Sequence, residues 1–186
     1  TVAPPAIELP AEARLGEVGA IAHYVPDECY YVRCRTLANY VWLRNLVDSW
    51  GGQVGNLMAM SSMDFHVRDR VERQLALTPN ASVRLFLDKA ITDMAIIGTD
   101  LNFSSGAGVG VLMEANDERG LEVLIRQQRD VILREDYGAH ESDVVIGSGR
   151  AKLLTTYDGS VRSYYAVSGK YHLVTTSSYI ARRFFE

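Results

Sequence analysis

Cysteine is nearly absent from this chain: Cys29 and Cys34 are the only two in 186 residues. That excludes a disulfide-held scaffold, and a lone Cys-x₄-Cys without a second Cys/His pair is not a zinc site. No window approaches the ~18 consecutive apolar residues of a membrane-spanning helix. Positive charge is not in excess either. Nineteen Lys and Arg stand against 23 Asp and Glu, a net charge of −4, so no electrostatic footprint for DNA or RNA exists and no nucleic-acid partner is expected. Proline is scarce outside the start, since Pro4, Pro5 and Pro10 are three of the five. Nothing is repeated at a fixed period and nothing is low-complexity.

What is present is ordinary globular composition. Hydrophobic residues make up 47% and charged residues 23%, too apolar for disorder and enough for one buried core. Residues 1–19 read as an extended Pro-rich lead-in, and 20–186 as a single domain. The chain opens at Thr1 without a basic or apolar leader-like run, which leaves a signal or anchor upstream open.

After the turn at Pro26-Asp27, the β-branched and aromatic residues of 28–35 predict a strand. Cys29 and Cys34 then lie on opposite faces, roughly 16 Å apart along it. A disulfide needs Cα atoms within about 7 Å, so two unbonded thiols are expected. Thr36 caps a helix through Trp50, with Leu37, Tyr40, Val41, Val47 and Trp50 on its apolar face and Gly51-Gly52 as its stop. Asp64 caps a second, striped by Val67, Val71 and Leu75, and 81–91 reads as a third. Strands follow at 94–100 and 108–114, joined by the loop LNFSSGA.

Asn116 opens a long helix to about Arg134. Leu121, Leu124, Ile125 and Ile132 form its buried stripe, and Glu122, Arg126, Asp130 and Arg134 a solvated charge ladder. A three-strand meander closes the chain, with two-residue turns at Asp158-Gly159 and Ser168-Gly169, before a helix capped at Ser177 or Ser178. The order β-α-α-α-β-β-α-β-β-β-α, in blocks without regular βαβ alternation, predicts an α+β fold: a largely antiparallel sheet packed by four to five helices.

The meander's register has consequences. Turns at those two dipeptides align Leu153, Tyr164 and Leu173 in one row, with Ala166 and Tyr171 on the same face, beneath a helix. The opposite face carries Lys152, Tyr165 and His172 in one row and Leu154, Ser163 and Val174 in another. Tyr165 is therefore expected as the exposed member of the Tyr164-Tyr165 doublet. Tyrosine is the one skewed residue type, ten in all. Doublets on strands put one ring on each face, so Tyr165, His172 and Tyr30 are the candidate binding residues for a partner domain or chain.

Other motifs do not hold together. Gly106-Ala107-Gly108-Val109-Gly110 leads into a strand, whereas a phosphate loop leads into a helix. Gly147-Ser148-Gly149 is no nucleophile elbow, because Ile146 and Arg150 occupy the positions that need glycine. The remaining histidines, His23, His140 and His172, have no metal-ligand spacing. Asn80-Ala81-Ser82 and Asn102-Phe103-Ser104 match the glycosylation pattern, which matters only in a secretory route. No catalytic residue, metal or cofactor is expected. The competing reading is a hydrolase-like enzyme whose site joins Asp64, His66 and the 100–108 loop.

The strings VPDECYYVRCRTLANYVWL, RVERQLALTPNA and RSYYAVSGKYHLVTTSSYIARRFFE resemble a region of large uncharacterised proteins of Planctomycete-type bacteria. The resemblance implies a fragment of a longer chain in an extracytoplasmic setting. It carries no activity. Together these readings predict a non-enzymatic interaction or architectural domain of a larger bacterial envelope or secreted protein.

Overall fold

A computed structural model describes residues 18–43, 45, 73–77, 87, 89–99 and 108–186. Among them, seven strands form one antiparallel sheet: β1 (Tyr30–Arg33), β2 (Ile91–Gly98), β3 (Val109–Ala115), β4 (His140–Ile146), β5 (Gly149–Thr155), β6 (Arg162–Ser168) and β7 (Tyr171–Thr175). A 3-10 turn covers Ala20–Tyr24, helix α1 spans Glu118–Glu135, and helix α2 spans Ser178–Arg183. The spatial order is β1-β2-β3-β7-β6-β5-β4. The fold is α+β with a C-terminal meander, as the block pattern predicts. None of the described helices is long and apolar enough to cross a membrane.

That order follows from one long crossover. Helix α1 carries the chain from β3 to the far edge, and the β4-β5-β6-β7 hairpins walk back until β7 pairs with β3. Both sheet faces are thereby covered, so the chain builds a core on each. On one face Ala95, Ile97, Leu112, Ala166 and Leu173 pack against Ile21 of the 3-10 turn and Ile180, Ala181 and Phe184 of α2. On the other, Met94, Met113, Tyr165 and Val174 pack against Leu121 and Ile125 of α1 and against Leu37 and Leu75. Interior strand β2 is buried on both faces over most of its length, which is why its sequence from Met94 shows a continuous apolar run and no alternation.

Helix α1 begins one residue later than expected. The Asp117 carboxylate, not Asn116, accepts from Gly120 N at 3.0 Å, while Asn116 Nδ2 donates to the Lys89 carbonyl. Leu121, Leu124 and Ile125 are buried as predicted and Ile132 is partly so; each full burial contributes roughly 1.5–3 kcal/mol. Thr36 acts as the expected cap, its Oγ1 accepting from Asn39 N at 3.1 Å. Residues 37–43 are helical, with Leu37 buried and Tyr40 and Val41 partly buried. Val47 and Trp50 lie outside the described residues, as do Asp64, Val67 and Val71 of the second expected helix. Of the third, only 87, 89 and 90 are described, and β2 takes over at Ile91, three residues before its expected start.

The meander corrects the expected register at one turn. Leu153 faces Tyr164 as predicted. The next turn is Gly169-Lys170, because Ser168 pairs with Tyr171; Gly169 takes φ 55°, which a glycine adopts freely. Tyr164 consequently faces Thr175 and Ala166 faces Leu173, a shift of two residues. Side chains alternate with period two, so a shift of two moves partners along the strand and leaves every face assignment intact. Leu153, Tyr164, Ala166, Tyr171 and Leu173 do share one face, beneath α2.

Candidate functional site

Two of the three candidate binding residues are buried. Tyr165 is 7% exposed and His172 2% exposed, both on the face that α1 crosses. The expectation that Tyr165 is the exposed member of its doublet is therefore corrected: both tyrosines are buried, one in each core. The meander's turns cannot reveal this, because the cover comes from a helix that precedes it in sequence. Tyr165 Oη and His172 Nδ1 lie 2.8 Å apart, with rings stacked at 5.9 Å. Burial pushes the His172 pKa down and the Tyr165 pKa up, so both are neutral. His172 Nε2 has no hydrogen-bond partner among the described residues. Tyr30 sits on edge strand β1, where its ring lies over Gly98: a Cβ on that glycine would come within 2.6 Å of it. The three residues do not form one surface.

Beside the Tyr165–His172 pair lies a charge that sequence reading missed. Arg129, on α1, is 2% exposed. Its Nε donates to Glu141 Oε2 of β4 at 2.6 Å, its Nη1 to Ser163 Oγ at 3.0 Å, and its Nη2 to the Lys152 carbonyl at 3.1 Å. Ser163 Oγ in turn donates to the Leu75 carbonyl. Desolvation lowers the Arg129 pKa and the Glu141 carboxylate works against it. The guanidinium bolts α1 to three strands and leaves the segment around Leu75 anchored to the same point. The available signal was Arg129 itself, which falls in line with Leu121, Leu124, Ile125 and Ile132 rather than on the charge ladder.

Asp64, His66 and residues 100–107 lie outside the described residues; Gly108, the end of that loop, lines a polar cleft. Gly147-Ser148 is the two-residue turn of the β4-β5 hairpin, with Gly147 at φ 58°. No group of three His, Cys, Asp or Glu side chains among the described residues is placed to hold a metal. No protein-family model, curated protein or solved structure matches this chain.

The described surface does hold an aromatic cleft, of about 420 Å³, between the 3-10 turn and the end of α2. Tyr24 stacks on Tyr171 with centroids 4.0 Å apart and packs against Phe184 at 5.7 Å, and Phe184 meets Phe185 edge-on at 5.3 Å. His23, Pro26, Asp27, Arg183 and Glu186 also line it, so charges of both signs stand at its rim. One side is held by a polar latch. Tyr179 Oη donates to Glu28, Arg183 Nε donates to Glu28 Oε1 at 3.1 Å, and Arg183 Nη1 donates to Glu186 Oε2 at 2.7 Å. The Tyr179 bond, a backbone bond and Arg183 together hold the Glu28 carboxyl down at about 2. The cleft thus joins flat rings to fixed charges on secondary-structure elements that the latch keeps in place.

Proposed function

We propose that this chain is a non-enzymatic interaction domain of a larger bacterial envelope or secreted protein, and that its contact surface is the cleft between Tyr24, Pro26 and Phe184-Phe185. The observation that carries the reading is the pair of partly exposed rings, Tyr24 and Phe185, beside Arg183, backed by the buried Tyr171 and Phe184. Aromatic and arginine side chains dominate the energetics of protein contacts, because they bury large area at low entropic cost and still offer polar edges. A peptide segment of a partner chain, apolar with an uncharged, carbonyl-rich flank, matches those groups, since Arg183 is already paired with Glu28 and Glu186. The resemblance to large Planctomycete-type proteins supports the bacterial and extracytoplasmic part of the proposal.

The test is selection of binders from a random peptide display library, followed by amide chemical-shift mapping on the whole chain. Selected peptides are expected to perturb residues 23–27 and 183–186, and to lose about tenfold in affinity on Phe185→Ser, the loss of one aromatic anchor. Peptides that map elsewhere, or bind the variant unchanged, remove the cleft from consideration. Turnover of a generic ester or phosphoester, abolished by His66→Ala, would move the function to the hydrolase-like reading around Asp64, His66 and the 100–108 loop.

A further inference from the structure

A second cleft, of about 340 Å³, opens at the other end of the sheet, where β3 and β6 begin and β7 runs into α2. Its chemistry is the reverse of the aromatic cleft. Thr176, Ser177 and Ser178 with their hydroxyls, Gln74 and Arg162 line it, and no Asp or Glu does among the described residues. Arg162 is the one charged group among the described lining residues.

Arg162 differs from the arginines that the fold consumes. Arg33 is paired with Asp93, Arg126 with Glu122, Arg129 with Glu141, and Arg183 with Glu28 and Glu186. Arg162 is exposed and forms no ion pair among the described residues. Its Nη2 donates to Tyr164 Oη at 3.0 Å, and its Cζ stands 5.7 Å from the centre of that ring. A neutral tyrosine anchors the side chain without neutralising it, and most of its five N–H donors stay available. The nearest candidate competitor is Asp158, beside the lining residue Gly159. Its Oδ1 is taken by Thr156 Oγ1 at 2.7 Å and Ser160 N at 2.9 Å, bonds that hold this carboxyl at about 2 and keep it in its own turn.

Two of the hydroxyls are partly committed. Thr176 Oγ1 bonds Val109, and Ser177 Oγ accepts from Ile180 N. Ser178 is exposed, lines the cleft, and its hydroxyl makes no hydrogen bond among the described residues. Gly108 keeps the floor open: a Cβ there would stand 2.9 Å from Ser177 Cβ and 3.1 Å from Ser177 Oγ. Helix α2 has six residues, too short for its dipole to count, which leaves recognition to the side chains.

We propose that this cleft is an oxyanion site that takes the phosphate group of a small polar molecule, with Arg162 as the forked anchor and Ser178 and Gln74 as neutral donors. A guanidinium fork matches two oxygens of a phosphate, and the hydroxyl-rich remainder suits a polyol attached to it.

The experiment is an amide chemical-shift titration of the full chain with inorganic phosphate and, separately, glycerol 3-phosphate, at ionic strength held constant with sodium chloride. Saturable shifts are expected at 108, 159, 162 and 176–178 with both probes. Tighter binding of glycerol 3-phosphate would identify a phosphate ester as the natural ligand class, and tighter inorganic phosphate the free ion. Arg162→Gln should weaken binding by about tenfold or more, the worth of one charged hydrogen-bonding group, with unchanged far-UV circular dichroism. Arg162→Lys should keep the charge and lose the fork, giving an intermediate affinity. Linear, unsaturable shifts in the parent chain overturn the proposal by themselves, and so does equal affinity in a folded Arg162→Gln protein.

Discussion

The most informative single side chains are those that sequence placed on the wrong side of the surface. Tyr165 was expected to be exposed and is instead buried against α1 and bonded to His172. Tyr165→Phe keeps the ring and removes one hydroxyl, leaving His172 Nδ1 buried without that partner; the expected cost is about 1–3 kcal/mol in chemical denaturation. His172 adds a pH dependence of definite sign. Burial holds its folded pKa below the ordinary value of 6.5, although Glu118 and Glu122 of α1 pull the other way. The unfolded chain therefore takes up the proton first as pH falls. This stabilisation is complete above about 6.5 and is lost as pH descends toward the folded pKa. Glu28 titrates lower, between its ordinary 4.5 and about 2, so the two windows separate. A plot of melting temperature against pH should slope downward on acidification from 7 to 5 in the parent protein. His172→Gln should flatten that segment. An unchanged slope would mean that another group titrates there.

At the scale of elements, the long amphipathic helix and the hairpins were legible because their signals are local. Asp117, Leu121 and Ile125 fix α1 within a residue, and Asp158-Gly159 fixes the pairing of Leu153 with Tyr164. Strand β4 was not legible. HESDVVI is an edge strand with most of its residues exposed, and its charges answer the need to discourage pairing with other chains, so no apolar alternation announces it. The two-residue slip at Gly169-Lys170 is the same kind of failure, since Ser168-Gly169 and Gly169-Lys170 both supply a glycine and only cross-strand packing chooses between them. Candidate sites were the least legible, because Arg129, Arg162 and the Tyr24–Phe184 cluster depend on contacts between distant segments. Arg129→Ala tests the joint between α1 and β4. It abolishes a buried charge network and should cost about 3–5 kcal/mol, whereas Arg126→Ala, on the solvated ladder, should cost under about 1 kcal/mol. Equal effects in urea titrations would mean that α1 is not held by its guanidinium.

For the molecule as a whole, the consequence of one sheet with a core on each face is that each cysteine reports on a different core. Both are free thiols. Cys29 is partly buried against the face covered by α2, and Cys34 is buried in the face covered by α1. Burial raises the pKa of each, with Glu28 adding to the effect at Cys29 and Asp93 at Cys34, so neither is a reactive thiolate at neutral pH. Titration of unfolded, unreduced protein should count two thiols per chain. Under native conditions Cys29 should be labelled first, and Cys34 only as its face opens. Two core truncations separate local from global opening. Ile180→Ala loosens the α2 face and Ile125→Ala the α1 face, each by about 2–5 kcal/mol. If the faces open independently, the first variant accelerates labelling of Cys29 alone and the second that of Cys34 alone. If both variants accelerate both thiols in proportion to lost stability, the two cores unfold as one cooperative unit, and the shared strands β2, β3 and β7 are what couple them.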